Sequence, residues 1–98
     1  MAAQFEWDAA KAADNIRKHR VDFEEAATVF GDSVGRIFDD PDHSQAESRE
    51  LLIGRSARNR VLIVSFTERG ARIRIISARR ATKRERHDYE EHNKASEK

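Results

Sequence analysis

Cysteine is absent from the 98 residues, so the chain can form neither a disulfide framework nor a thiolate metal site. That suits a reducing compartment. Long apolar runs are missing too. The longest, Val61 to Val64, falls far short of the roughly 20 residues that cross a bilayer. The opening MAAQFEWD lacks the basic and apolar regions of a signal peptide. These absences together predict a cytoplasmic protein without a membrane segment. There is no glycine-rich phosphate loop, no nucleophile elbow and no D-x-D-x-D-G calcium loop. Of the four histidines only His87 and His92 lie near each other, and i, i+5 spacing sits poorly on one helical face, so no zinc site is expected. Glu6, Asp8, Asp39, Asp40 and Asp42 are acids that a divalent metal can use, but consecutive loop acids read first as turn formers. No metal and no cofactor are expected.

What the chain does have is charge, and the charge is segregated. A formal net charge of +1 covers a balance of −6 over residues 1–48 (5 basic, 11 acidic), +9 over 49–86 (12 basic, 3 acidic) and −2 over 87–98 (2 basic, 4 acidic). Such asymmetry points to a polyanion or to a partner of opposite charge. A chain this short makes one domain with a modest core. We assign it to residues 1–92, with a flexible tail over 93–98.

The patterning predicts an α+β fold. Phe5-Glu6-Trp7 suits a short strand. Asp8 then caps a helix over 9–19, with Ala9, Ala12, Ala13 and Ile16 on an apolar face and Lys11, Asn15 and Lys18 on another. A second helix spans Val21 to Phe30, with Asp22 and Glu25 as a capping box and Gly31 as its stop. Ser33 to Phe38 reads as a strand, and 39–48 as an exposed loop around Pro41. Three strands follow in a meander, Glu50–Gly54, Val61–Thr67 and Arg72–Ser77, with turns at Ser56–Asn59 and Glu68–Gly70. Val61–Phe66 is apolar on both faces and is placed centrally. The last helix begins with the Thr82/Glu85 capping box and runs to about Glu91, with Tyr89 as its only large apolar group. The expected sheet is therefore small and antiparallel, three meander strands plus one or two short N-terminal ones, with two helices covering one side and a polar C-terminal helix.

The densest chemistry lies in Arg72–Arg86, with seven basic residues and one acid. Guanidinium forks and the free N–H groups after Thr82 can gather around phosphate; the plainer reading is ion pairing with acids of the N-terminal half. Simple alternation puts Arg79 on the face of Ile73 and Ile75, and Arg72, Arg74 and Arg80 on the other. On the first helix, Lys11, Asn15 and Lys18, with His19 at the edge, offer the base, acid and cation that metal-free RNA cleavage requires, or simply a solvated face. Trp7 either stacks on a base or packs in the core.

A resemblance goes further. Phe5-x-Trp7-Asp8-x-x-Lys11-x-x-x-Asn15-x-x-Lys18-His19 is similar to the N-terminal signature of the BrnT-type toxin family. Asp22-Phe23-Glu24-Glu25-Ala26, Ile53-Gly54-Arg55, the strand end Thr67-Glu68, Ile75-Ile76-Ser77-Ala78-Arg79-Arg80-Ala81-Thr82 and Glu85-Arg86-x-x-Tyr89-Glu90 continue it, over residues 5–90. The resemblance implies a RelE-like fold and the toxin of a type II toxin–antitoxin pair. It implies a metal-independent endoribonuclease of the mRNA-interferase kind, which stops translation by cutting RNA. The implied partner is a BrnA-type ribbon-helix-helix antitoxin in a hetero-oligomer that meets operator DNA only through the antitoxin. Carried over, the catalytic expectations are Lys11, His19, Arg55, Arg79 and Arg86, with His19 as base or acid and Glu85 or Tyr89 as alternatives. Arg72, Arg74, Arg80 and Lys83 are expected to hold RNA. The family usually has Gly after the Lys-His pair where this chain has Arg20, so a different helix cap is expected. A non-catalytic module binding nucleic acid or antitoxin through the same face is the competing reading, and a purely structural interaction domain is a third.

Overall fold

A computed structural model describes residues 4–40 and 48–96. The expected loop around Pro41 lies mostly outside them, as does His43. Five strands, β1 (Gln4–Glu6), β2 (Arg36–Asp39), β3 (Arg49–Arg55), β4 (Val61–Arg69) and β5 (Arg72–Arg80), form one sheet in the order β1-β5-β4-β3-β2. The meander β3-β4-β5 is antiparallel and β4 is central, as the apolar run predicts. The sheet as a whole is mixed rather than antiparallel, because β1 pairs parallel to β5, with Glu6 opposite Arg74. A strand that reaches the sheet's far edge from the other end of the chain is free of the hairpin constraint that makes close neighbours antiparallel.

Helices α1 (Ala9–His19) and α2 (Phe23–Thr28), followed by a 3₁₀ turn Val29–Gly31, cover one face. The core there includes Phe23, Leu62, Val64, Phe66 and Ile75. Phe30 bridges Phe5 and Phe66 at centroid distances of 5.1 and 5.0 Å, and Trp7 meets Phe23 edge-on at 5.9 Å. Trp7 is thus committed to the core. The caps form where the sequence puts them. Asp8 accepts from the Lys11 N–H at 2.9 Å and Asp22 from that of Glu25 at 2.6 Å. The Glu25 carboxylate, expected to complete the second capping box, turns instead to Ser56 and Arg60.

Helix α1 does not bury the expected stripe. Ile16 is 46% exposed, whereas Asn15, expected among the polar groups, is only 5% exposed. The Asn15 amide donates to the carbonyls of Val21 (2.9 Å) and Ala78 (2.8 Å), and its oxygen accepts from the Ala78 N–H (3.1 Å). One side chain thereby ties α1 to the α1–α2 connection and to β5. At the end of α1, Arg20 adopts the left-handed conformation (φ 59°) that glycine takes without strain, and its N–H reaches the Ile16 carbonyl. Arg20 therefore preserves the helix end that glycine would make.

The opposite face is covered as well, which the sequence reading did not anticipate. Helix α3 (Lys83–Ser96) runs past the expected end near Glu91. Its Tyr89 packs with Ile53, Val61 and Ile63 in a second cluster. A helix with one buried aromatic and a polar remainder has no clear apolar stripe, yet this one is anchored.

Candidate functional site

The geometry of the basic residues turns on an irregularity in β5. Ser65 pairs with Ser77 but Phe66 pairs with Ile75, so Ile76 is an extra residue in a β-bulge. The bulge reverses the alternation beyond it. Ile75 and Ala78 both join the α1–α2 core. Arg79 pairs with Ile63 and so lies on the α3 face, opposite to Ile75; Arg80 pairs with Leu62. The expectation that Arg79 shares the face of Ile73 and Ile75 is therefore corrected, since simple alternation holds only in an unbulged strand.

On the α3 face Arg79 meets its anion. Both its terminal nitrogens donate to Glu85, at 2.8 and 3.0 Å. Glu85 also accepts the Thr82 N–H at 2.8 Å, and the Thr82 hydroxyl accepts the Glu85 N–H at 3.2 Å, so the capping box is complete. The Arg79 guanidinium, with the cap bonds behind it, holds the Glu85 carboxyl down to about 2. Arg79 and Glu85 thus fix the start of α3 to β5.

Beyond the end of the sheet, the last residues of β3 and β5, the first of β4 and the inner side of α3 enclose a cavity of about 320 Å³. Arg55, Arg60, Arg80 and Arg86 line it, with Asn59 and Glu90. Each wall has a local cause. Asn59 takes a left-handed φ of 64°, closing the β3–β4 turn, and accepts from Arg55 Nη1 at 3.1 Å. The turn is pinned to α2, where buried Glu25 receives Ser56 Oγ at 2.7 Å and Arg60 Nε at 2.9 Å, and Thr28 Oγ1 accepts the Ala57 N–H at 2.8 Å. The Arg60 guanidinium holds the Glu25 carboxyl below its ordinary range. Arg60 also donates to the Arg20 carbonyl at 3.3 Å, which brings the end of α1 to the cavity's border. Asp32 accepts the backbone N–H of Arg55 at 2.7 Å and the Tyr89 hydroxyl, and the Arg55 guanidinium lies 5.7 Å from the Tyr89 ring centre. Burial, with the Asp32 carboxylate beside it, raises the Tyr89 hydroxyl above its ordinary value.

The arginines around this cavity differ in how far their charge is compensated. Arg60 is committed to Glu25. Arg55 has a long contact to Glu90, 3.4 Å. Among the described residues, no ion pair engages Arg80 or Arg86. The cavity therefore presents uncompensated guanidinium charge with hydrogen-bond donors in fixed forks, an arrangement suited to phosphate oxygens.

Of the residues expected in the site, Arg55, Arg80 and Arg86 converge here. The others do not line the cavity. Arg72 and Arg74 pair with Glu6 at 3.5 and 3.0 Å, the plainer reading of those arginines. Lys11 lies in the first turn of α1, about 12 Å along the helix axis from His19, near the Asp8 carboxylate, which its N–H and the Arg74 charge hold below the usual range. His19 is exposed in the last turn of α1, one residue before Arg20. Lys83 is exposed at the start of α3. Asn59, Arg60 and Glu90 were missed. The turn reading placed Asn59, but no local signal brings residues 59 and 90 together. Among the described residues no group of three or more His, Cys, Asp or Glu is poised to hold a metal, and no helix is long and apolar enough to cross a membrane.

Comparison with known proteins agrees with this architecture. No curated protein sequence matches the chain. The fold is similar to the crystal structure of the Brucella abortus ribonuclease toxin BrnT, with a TM-score of 0.65 and 25% identity, covering 83% of this chain and 99% of that one. A family profile described as "Ribonuclease toxin, BrnT, of type II toxin-antitoxin system" matches residues 7–85. With most of its length matched, the chain belongs to the BrnT family of ribonuclease toxins of type II toxin–antitoxin systems.

Proposed function

We propose that the chain is a metal-independent endoribonuclease of RelE-like fold that stops translation by cutting mRNA, and that the arginine cavity is where it holds the scissile phosphate. The observation that carries this reading is that Arg80 and Arg86 face the cavity beside Arg55 without a carboxylate partner. Cleavage through the RNA's own 2′-oxygen builds up negative charge on a pentacoordinate phosphorus, and fixed guanidinium donors stabilise that charge as it develops. Arg55, Arg80 and Arg86 act on the phosphate. Arg79 acts through Glu85 by fixing α3, which carries Arg86. Lys83, with Arg72 and Arg74 farther away, attracts the RNA backbone in a salt-dependent way. His19 and Lys11 border the RNA path along α1.

Family membership implies an antitoxin. We propose that it is a BrnA-type ribbon-helix-helix protein that neutralises the toxin by covering Arg55 and the cavity mouth, and that the hetero-oligomer meets operator DNA through the antitoxin alone. A complex in which Arg55 stays open to solvent would contradict that placement. The activity itself is tested by incubating the purified chain with RNA in EDTA. Fragments are expected. Intact RNA together with a gel shift would favour the non-catalytic binding module.

A further inference from the structure

Cleavage through the 2′-oxygen needs a group that removes the 2′-hydroxyl proton, and the composition of the cavity narrows the choice to one. Four of its lining residues are arginines, Arg55, Arg60, Arg80 and Arg86. These stay protonated at any workable pH and cannot accept a proton. The Asn59 amide is not a base, and Val61 and Ala81 are apolar. Among the described residues that line it, only the Glu90 carboxylate remains. We infer that Glu90 is the proton acceptor of the proposed RNA cleavage, an assignment that rests on the ribonuclease reading of the cavity.

The placement of Glu90 suits that role. It follows Arg86 by one helical turn on α3, so both side chains project toward the cavity. Its Oε2 stands 3.4 Å from Arg55 Nη2, longer than the roughly 2.7–2.9 Å of a tight charge-assisted bond. Its Oε1 has no hydrogen-bond partner among the described residues, and the side chain is 48% exposed. Among the described residues, Arg55 from β3, Arg60 at the entry to β4, Arg80 from β5 and Arg86 from α3 are the charged residues that line the cavity with it. The acid–base groups favoured by the sequence are engaged elsewhere. Glu85 is held by Arg79 and the Thr82 N–H, the Tyr89 hydroxyl donates to Asp32, and His19 is not in the cavity lining.

The step balances without a co-reactant. The 2′-hydroxyl proton passes to a Glu90 oxygen, and the freed electron pair forms the bond from O2′ to phosphorus. The bond from phosphorus to O5′ breaks, and the leaving O5′ takes a proton from water. Glu90 then returns its proton to the hydroxide so formed. The products are a 2′,3′-cyclic phosphate and a 5′-hydroxyl.

The test uses the purified full chain, with Glu90→Gln and Glu90→Asp, in single-turnover RNA cleavage in EDTA across pH. Wild type should lose rate about tenfold per unit as the pH falls below the point where its base becomes protonated. Glu90→Gln should keep its RNA affinity, cleave about 10²–10⁴-fold more slowly and lose that acid limb. Glu90→Asp should retain it. If Glu90 only oriented Arg55, Glu90→Gln would weaken RNA binding and leave the acid limb in place, which would overturn the assignment. So would a Glu90→Gln variant that cleaves at the wild-type rate, although the ribonuclease reading would survive. Wild-type protein that leaves RNA intact would remove that reading and the Glu90 assignment with it.

Discussion

Asn15 is where a single substitution should do most damage for its size. Its amide makes three buried hydrogen bonds, two to the carbonyls of Val21 and Ala78 and one from the Ala78 N–H. Truncation to alanine leaves all three backbone groups short of a partner. At about 1 kcal/mol net per bond the loss is about 3 kcal/mol, and the stranded buried groups raise it toward about 5 kcal/mol. Against a total stability of roughly 5–15 kcal/mol, and at about 4–6 °C per kcal/mol for a domain of this size, Asn15→Ala should lower Tm by roughly 12–30 °C. Thermal unfolding monitored by circular dichroism measures the Tm shift, and urea unfolding the free-energy loss. Asn15→Asp separates hydrogen bonding from packing, because it keeps the shape and loses both donors. At neutral pH its carboxylate would face two carbonyl oxygens, so it should be at least as unstable as the alanine variant. Acidification should recover part of the loss, because protonation restores one donor and a carboxyl with a raised folded pKa destabilises most when the pH is high. An Asn15→Asp variant within about 1 kcal/mol of wild type at pH 7 would mean that the Asn15 hydrogen bonds do not hold α1 to β5.

Three further outcomes follow from local geometry. Arg20→Gly removes a side chain from a left-handed residue (φ 59°) and should stabilise the chain by about 1 kcal/mol in urea titration. Gly54→Ala should destabilise it by about 1–3 kcal/mol, because a Cβ there would sit 2.8 Å from Val29 Cγ1 and 3.1 Å from Asp32 Oδ2; movement of Asp32 would also disturb Arg55 and lower cleavage. Glu85→Gln should cost about 1 kcal/mol after discounting for solvent screening of this half-exposed pair. Because the folded carboxyl is depressed from 4.5 to about 2, its stabilising contribution is complete above about pH 4.5 and fades toward pH 2. Thermal melts of wild type and Glu85→Gln should therefore converge over that window.

The sequence and the structure agree where the determinants are local. Asp8, Asp22 and the Thr82/Glu85 pair cap the helices they were expected to cap, because a cap depends on residues three apart. The run Val61–Thr67 is central because a strand that is apolar on both faces needs cover on both. Disagreement arises where the determinant is a partner distant in sequence. The β5 bulge at Ile76 depends on the register against β4, so Arg79 faced the wrong way in a reading based on alternation. Asn15 looks like a surface residue on a helical wheel until the backbone of residues 21 and 78 closes around it. The basic stretch 72–86 was conspicuous, but it divides among four settings, one of them the exposed first turn of α3 with Lys83 and Arg84. Arg72 and Arg74 are neutralised by Glu6, Arg79 is fixed to Glu85, and only Arg80 and Arg86 reach the cavity. The remaining walls, Arg55, Asn59, Arg60 and Glu90, come from a turn and a helix face that no local motif joins.

Phosphate binding in the cavity requires Arg80 and Arg86 and not the arginines paired with Glu6. The decisive measurement is the RNA cleavage rate in EDTA of Arg80→Ala and Arg86→Ala beside Arg72→Ala. All three remove one surface guanidinium, so nonspecific attraction to RNA falls similarly in each. If the cavity holds the scissile phosphate, the two cavity variants should lose about 10²–10³-fold, the scale of removing one transition-state donor. At saturating RNA, where that attraction no longer limits the rate, Arg72→Ala should stay near the wild-type rate. Equal rates for all three would contradict the account.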